Sequence, residues 1–158
     1  MTATAIASTI DALLSLARAR NTELGSSIEV FDGLPPTDDA PLSYLLIGVS
    51  DRDDRGWTTA ATSEHGWPVI GHIQRDEQFG VRCVAVGWNG DVTGMAAARA
   101  DAIAAFDLLV AALMKDPTLG GAVLSVTRIS DIELATGYSP DGPAANLRFT
   151  IECQARLA

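Results

Sequence analysis

Residues 146–157 read NLRFTIECQARL, and how this stretch is read decides the fold. Leu147, Phe149, Ile151, Cys153, Ala155 and Leu157 alternate without a break with Asn146, Arg148, Thr150, Glu152, Gln154 and Arg156. A period of two with one apolar and one polar side is the pattern of a half-buried antiparallel strand, one face on a core and one in water. Such a strand needs a partner. Residues 122–135 offer a mixed run of strand formers, and YSPDGPAA (138–145) between the two runs reads as a wide hairpin loop.

Working back along the chain, residues 93–115 carry a helical pattern. Ala102, Phe106, Leu109 and Leu113 form one stripe, widened by Ile103 and Val110. Arg99, Asp101, Asp107 and Lys115 fall on the outer side, and Thr93 is placed to cap the start. The many alanines raise helix propensity and permit close approach to a sheet. After this helix comes KDPTLGG (115–121). A phosphate-binding glycine loop lies between a strand and a helix N-terminus, where free N–H groups face the anion. Here the glycines follow a helix and precede a strand, so the stretch reads as a helix stop and a turn.

Nearer the N-terminus, Ile6, Ile10, Leu13, Leu14 and Ala17 give residues 3–20 a helical stripe. Short strands are expected at 27–31, at 42–50 (LSYLLIGVS, apolar on both faces) and at 78–88 (QFGVRCVAVGW). DGLPPTDDAP (32–41) is a loop. Residues 51–74 are polar and punctuated by glycine, and read as a long excursion or loose hairpin. Segments without a core order on meeting a partner, so this one is expected to be disordered in the free chain. The sum is a single α+β domain spanning 1–158, a twisted antiparallel sheet with two helices packed on one face and a protruding loop or hairpin at about 51–74.

The composition, 47% hydrophobic and 20% charged over 158 residues, supports one core. No apolar run approaches the ~20 residues of a membrane span, and no basic segment precedes an apolar one at the N-terminus, so no secretory signal is expected. The net charge of −9 comes from 20 acidic and 11 scattered basic residues. That argues against general affinity for nucleic acid, which needs clustered cations against the phosphates. Cys83 and Cys153 sit in apolar strand runs with no CxxC and are expected to be buried free thiols.

Candidate chemistry is sparse. DRDDRG (51–56) begins like a calcium loop at Asp51, Asp53 and Gly56, but Arg55 and Thr62 stand where two further ligands belong. His65 and His72 lack additional soft ligands for zinc. A Ser-His-Asp triad stays open, because its members need not be neighbours in sequence, although no GxSxG elbow is present. No metal or organic cofactor is expected. Trp57 and Trp67 lie in the polar excursion, where aromatic side chains commonly anchor protein interfaces. With Arg52, Asp53, Asp54 and Arg55 as a polar rim, they form the candidate subunit or partner interface.

Four stretches together resemble a known family: RDEQFGVRCVAVGWNGD (75–91), AAARADAIAAFDLLVAALMKDPTLGGAV (96–123), LRFTIECQARL (147–157), and VFDGLPP followed by YLLIGVSD (30–51). They are similar to the tail terminator proteins of long-tailed, siphovirus-type phages that infect actinobacteria. The resemblance covers roughly residues 5–157, and DPTLGG after an alanine-rich helix is its most distinctive part. It implies a small α+β subunit that assembles as a homohexameric ring in the virion, at the head-proximal end of the tail, after synthesis in the host cytoplasm. The ring would cap the tail tube, stop its polymerisation and offer the head connector or stopper protein a joining surface. DNA would pass through the bore without specific binding, and no membrane would be involved. A related head–tail connector or tail-completion protein is the alternative within the same setting. A small cytoplasmic α+β enzyme or ligand-binding module, built on His65, His72 and the acids of 51–54, is the alternative outside it.

Overall fold

A computed structural model describes residues 3–35, 43–50, 55–69, 71, 73–90 and 94–158. The elements run α1 (Ile6–Glu23), β1 (Glu29–Asp32), β2 (Ser43–Ile47), β3 (Ala61–Gly66), β4 (Arg75–Trp88), α2 (Met95–Lys115), β5 (Ser125–Ser139) and β6 (Gly142–Leu157). This is the expected α+β arrangement, with both helices on one face of the sheet. The strand order is β1-β2-β4-β6-β5, and β3 pairs with β4 off that path.

β6 is an internal strand, as its alternation requires. It pairs antiparallel with β4 from Arg75↔Leu157 to Trp88↔Ala144, and with β5 on its other side. Leu147, Phe149, Ile151, Cys153, Ala155 and Leu157 are buried against the helices. They join Leu13, Leu14 and Ala17 of α1, Leu108, Leu109 and Leu113 of α2, and Phe79, Val81 and Cys83 of β4 in one core.

The antiparallel expectation holds for every strand pair except β1 and β2, which run parallel from Glu29↔Tyr44 to Asp32↔Ile47. β2 stops at Ile47 because the chain bulges there. Gly48 takes φ +79°, and the Gly48 and Val49 amides both donate to the Arg82 carbonyl, at 2.8 and 2.9 Å. Both faces of β2 are covered, Leu45 and Ile47 by the main core and Leu46 by a small outer cluster with Val49, Val84 and Val86.

Two expectations are corrected. The wide loop at 138–145 is a tight turn: Ser139 pairs directly with Gly142 around Pro140 and Asp141. Gly142, at φ +125°, makes this possible, and a Cβ there would overlap the Asn89 carbonyl oxygen. The buried face of α2 is rotated from the expected stripe. Ala98, Ala105, Leu108 and Ala112 are buried beside Ala102, Leu109 and Leu113, while Ile103 is 42% exposed. The cause is small residues in contact: Ala98 and Ala102 cluster with Ala145, and a Cβ on Gly87 would overlap the Ala98 carbonyl and come within 2.5 Å of Ala102 N. Turning this face to the sheet brings the backbones together and turns Ile103 away. In the segment at 51–74, the hairpin is the one of the two expected forms that is found. β3 pairs antiparallel with β4 from Ala61↔Val81 to Gly66↔Asp76.

The DPTLGG stretch stops α2 as expected. The Asp116 carboxylate accepts from the amides of Thr118 (3.1 Å) and Gly120 (2.7 Å) and from the Thr118 hydroxyl (2.8 Å). The Thr118 hydroxyl and these amides hold its carboxyl below the usual range. The loop's N–H groups are thus turned toward a side chain of the protein itself. Leu119, at φ 54°, is only 4% exposed and plugs the core beneath the turn.

Candidate functional site

Of the interface residues expected from sequence, Arg52, Asp53 and Asp54 lie outside the described residues, as do Thr93 and His72. Arg55 is exposed, Trp57 is 73% exposed and Trp67 is 57% exposed. The two tryptophans stand on opposite sides of β3 in the chain, Trp57 before it and Trp67 after it. Val69 and Ile73, also exposed, extend the apolar character of the hairpin end.

The opposite flank of the sheet is β5. No strand lies beyond it among the described residues. It bulges between Val126 and Arg128 and between Ser130 and Glu133, and then runs regularly to Ser139. Leu134 lies opposite buried Leu147, yet is itself 41% exposed, and Tyr138 is 72% exposed. The core thus continues past β6 onto a strand that the helices only partly cover.

The sheet face away from the helices forms an open trough of about 730 Å³. Thr62, Gln78, Arg82, Thr150, Glu152 and Gln154 are among its lining residues. Thr150, Glu152 and Gln154 belong to the polar side of the alternation read from sequence. Arg128 pairs with Glu152, and Ser130 Oγ donates to Glu152 at 2.8 Å. The bond from Arg128, and after it the one from Ser130, hold the Glu152 carboxyl below its usual value. A Cβ on Gly80 would come within 2.6 Å of Thr150 Cγ2, so a larger residue there would have to shift the Thr150 side chain.

Sequence reasoning missed the most unusual polar group. Glu77 is fully buried. Its Oε1 accepts from the Thr4 hydroxyl and from Ser63 Oγ (2.7 Å), with His65 Nε2 at 3.3 Å, and its Oε2 accepts from the Ala5 amide at 2.7 Å. Burial alone would push this carboxyl up, but the Thr4, Ala5, Ser63 and His65 donors outweigh it and hold the carboxyl below its ordinary value. The period of β4 carried the signal: Glu77 is in phase with the inward-facing Phe79, Val81, Cys83 and Ala85, two residues before the expected strand begins to show its apolar side.

The triad left open by the sequence is a different arrangement for Ser63 and His65. Both address the same Glu77 oxygen, whereas a nucleophilic serine would donate to the imidazole and the imidazole to the acid. Cys83 and Cys153 are free and buried, and burial first of all pushes each thiol up to about 12, away from thiolate chemistry. No protein-family model matches the chain, and a search of curated proteins found no match to it.

Proposed function

We propose that the chain is a phage structural subunit of the tail terminator type, forming a homohexameric ring that caps the tail tube and provides the surface for head joining. The reading starts from the sequence resemblance. The structural observation that carries it further is the presence of two unlike flanks on one sheet. On one side lies the open edge of β5, with Leu134 and Tyr138 exposed. On the other is the β3 hairpin, with Trp57 and Trp67 exposed. A cyclic ring needs a head-to-tail contact between two different surfaces of each subunit, and large exposed aromatic side chains are what such contacts bury. The net charge of −9 suits a wall past which DNA slides without being held.

Ligand binding in the trough is a second reading, favoured by its volume. Small-molecule sites are mostly apolar and enclose their ligand, however, whereas this one is an open polar sheet face crossed by the Arg128–Glu152 pair.

The test is electron microscopy of the purified protein, alone and with the tail tube protein. Rings and tubes of defined length with a capped end are expected. Trp57→Ala combined with Trp67→Ala should leave the fold intact and abolish capping. A wild-type protein that neither forms rings nor binds tube ends would overturn the proposal.

A further inference from the structure

We propose that Glu77 is a two-sided clasp, through which the segment ahead of α1 and the β3 hairpin open and close as one unit. This rests on the geometry of the chain alone and not on the reading above.

The carboxylate stands between two segments that each place a single residue in the main core, Ala5 ahead of α1 and Ala61 at the start of β3. On one side, residues 3–5 lead into α1. Arg75 Nη2 donates to the Ala3 carbonyl at 2.8 Å, and Glu77 takes the Thr4 hydroxyl and the Ala5 amide. Thr4 Oγ1 in turn accepts the Ile6 amide at 3.2 Å, so Glu77 fixes the group that satisfies the first helical N–H. On the other side, β3 is exposed from Thr62 to Gly66, and only Ala61 packs on the main core. Beyond its ladder to β4, the strand is secured by Ser63 and His65 on Glu77.

The coupling follows from burial. A buried carboxylate needs its donors, and removing some leaves an under-solvated charge that weakens the remaining arrangement. Thr4 and Ser63 share one oxygen, so when the hairpin lifts away, the anion holding the N-terminal segment loses part of its compensation. The converse also holds. Among the described residues the only ion-pairing partner of Glu77 is His65. Neighbouring Asp76 is committed to Arg156 at 2.7 Å, and Arg75 reaches the Ala3 carbonyl instead. Segments with few buried apolar contacts open at low free energy, so a shared clasp sets when both move. A partner that docks on the hairpin and displaces Ser63 and His65 would thereby free the N-terminal segment.

Residue-resolved amide hydrogen exchange on the intact chain tests this from both ends. Ser63→Ala combined with His65→Ala removes the two β3 partners of Glu77, and should raise exchange at Ala5 and Thr9 by about tenfold or more. Thr4→Ala should raise exchange across β3 in return, and Glu77→Gln should raise both. Amides in the β4–β6 ladder, such as those of Val81 and Ile151, should stay unchanged. If each variant loosens only its own segment, the clasp is refuted. A uniform rise that includes the β4–β6 ladder refutes it too, because the carboxylate would then only add to global stability.

Discussion

Single residues set the contact between the layers. Phe106 of α2 meets Phe149 of β6 edge to face, with ring centroids 4.8 Å apart and an interplanar angle of 77°. This geometry adds to the gain from burial. Phe149 is 2% exposed, so Phe149→Ala should cost on the order of 3–5 kcal/mol, and the half-buried Phe106 somewhat less. Denaturant unfolding measures both, and a loss below ~1 kcal/mol for Phe149 would contradict the packing described. Glu77 calls for a measurement against pH. Its folded carboxyl lies below the ordinary value of 4.5, so the folded state binds fewer protons than the unfolded one near that pH. The stability it contributes is fully present above pH 4.5 and is lost as pH falls through its folded value. Glu77→Gln removes this titration. The stability gap between wild type and variant should therefore shrink as pH drops below 4.5, and an unchanged gap down to pH 3 would show that Glu77 is not the linked group.

Helix α2 shows how an element can be legible in kind but not in rotation. Its apolar residues cover more than one side, so periodicity finds the helix without fixing which side is buried. The choice was made by Gly87 and Ala145 on the strands beneath, since Ala98 and Ala102 pack with Ala145 and a Cβ on Gly87 would overlap the Ala98 carbonyl. Leu109→Ala should then cost about 2–5 kcal/mol, while Ile103→Ala, at a position 42% exposed, should fall within about 1 kcal/mol of wild type. Thermal unfolding of the pair checks the rotation: equal losses would restore the stripe expected from sequence. The β3 hairpin shows the opposite case. Its side chains carry no apolar alternation, because one side faces the open trough and the other faces a buried carboxylate, so the sequence allowed a loose hairpin there without marking which residues form the strand.

At the scale of the whole molecule, five carboxylates share one direction. Glu23, Asp76, Asp116 and Glu152 are held below their ordinary values along with Glu77, each through hydrogen bonds to named partners. Each therefore supports the folded state above the ordinary value of its type, 4.5 for Glu and 3.8 for Asp, and gives up that support as pH falls below it. The melting temperature should be nearly flat from pH 7 to 5 and fall below about 4.5, as scanning calorimetry would show. If the chain forms the proposed ring, assembly adds stability that depends on concentration, and a melting temperature rising with protein concentration at pH 7 would report it.

The sequence by itself determined the α+β class, the half-buried terminal strand, the alanine-rich helix and its stop at Asp116–Gly121. These follow from local rules: side-chain period, backbone freedom at glycine, and the residue before proline. It also marked Trp57 and Trp67 as out of place in a polar segment, and both proved exposed. Only the tertiary structure decided which face of α2 is buried, that β1 and β2 run parallel, that residues 138–145 turn tightly, and that Glu77 joins Thr4, Ala5, Ser63 and His65. Each of these depends on residues far apart in the chain arriving at one place. A contact between Thr4 and Glu77, 73 positions apart, leaves no period in the sequence to read.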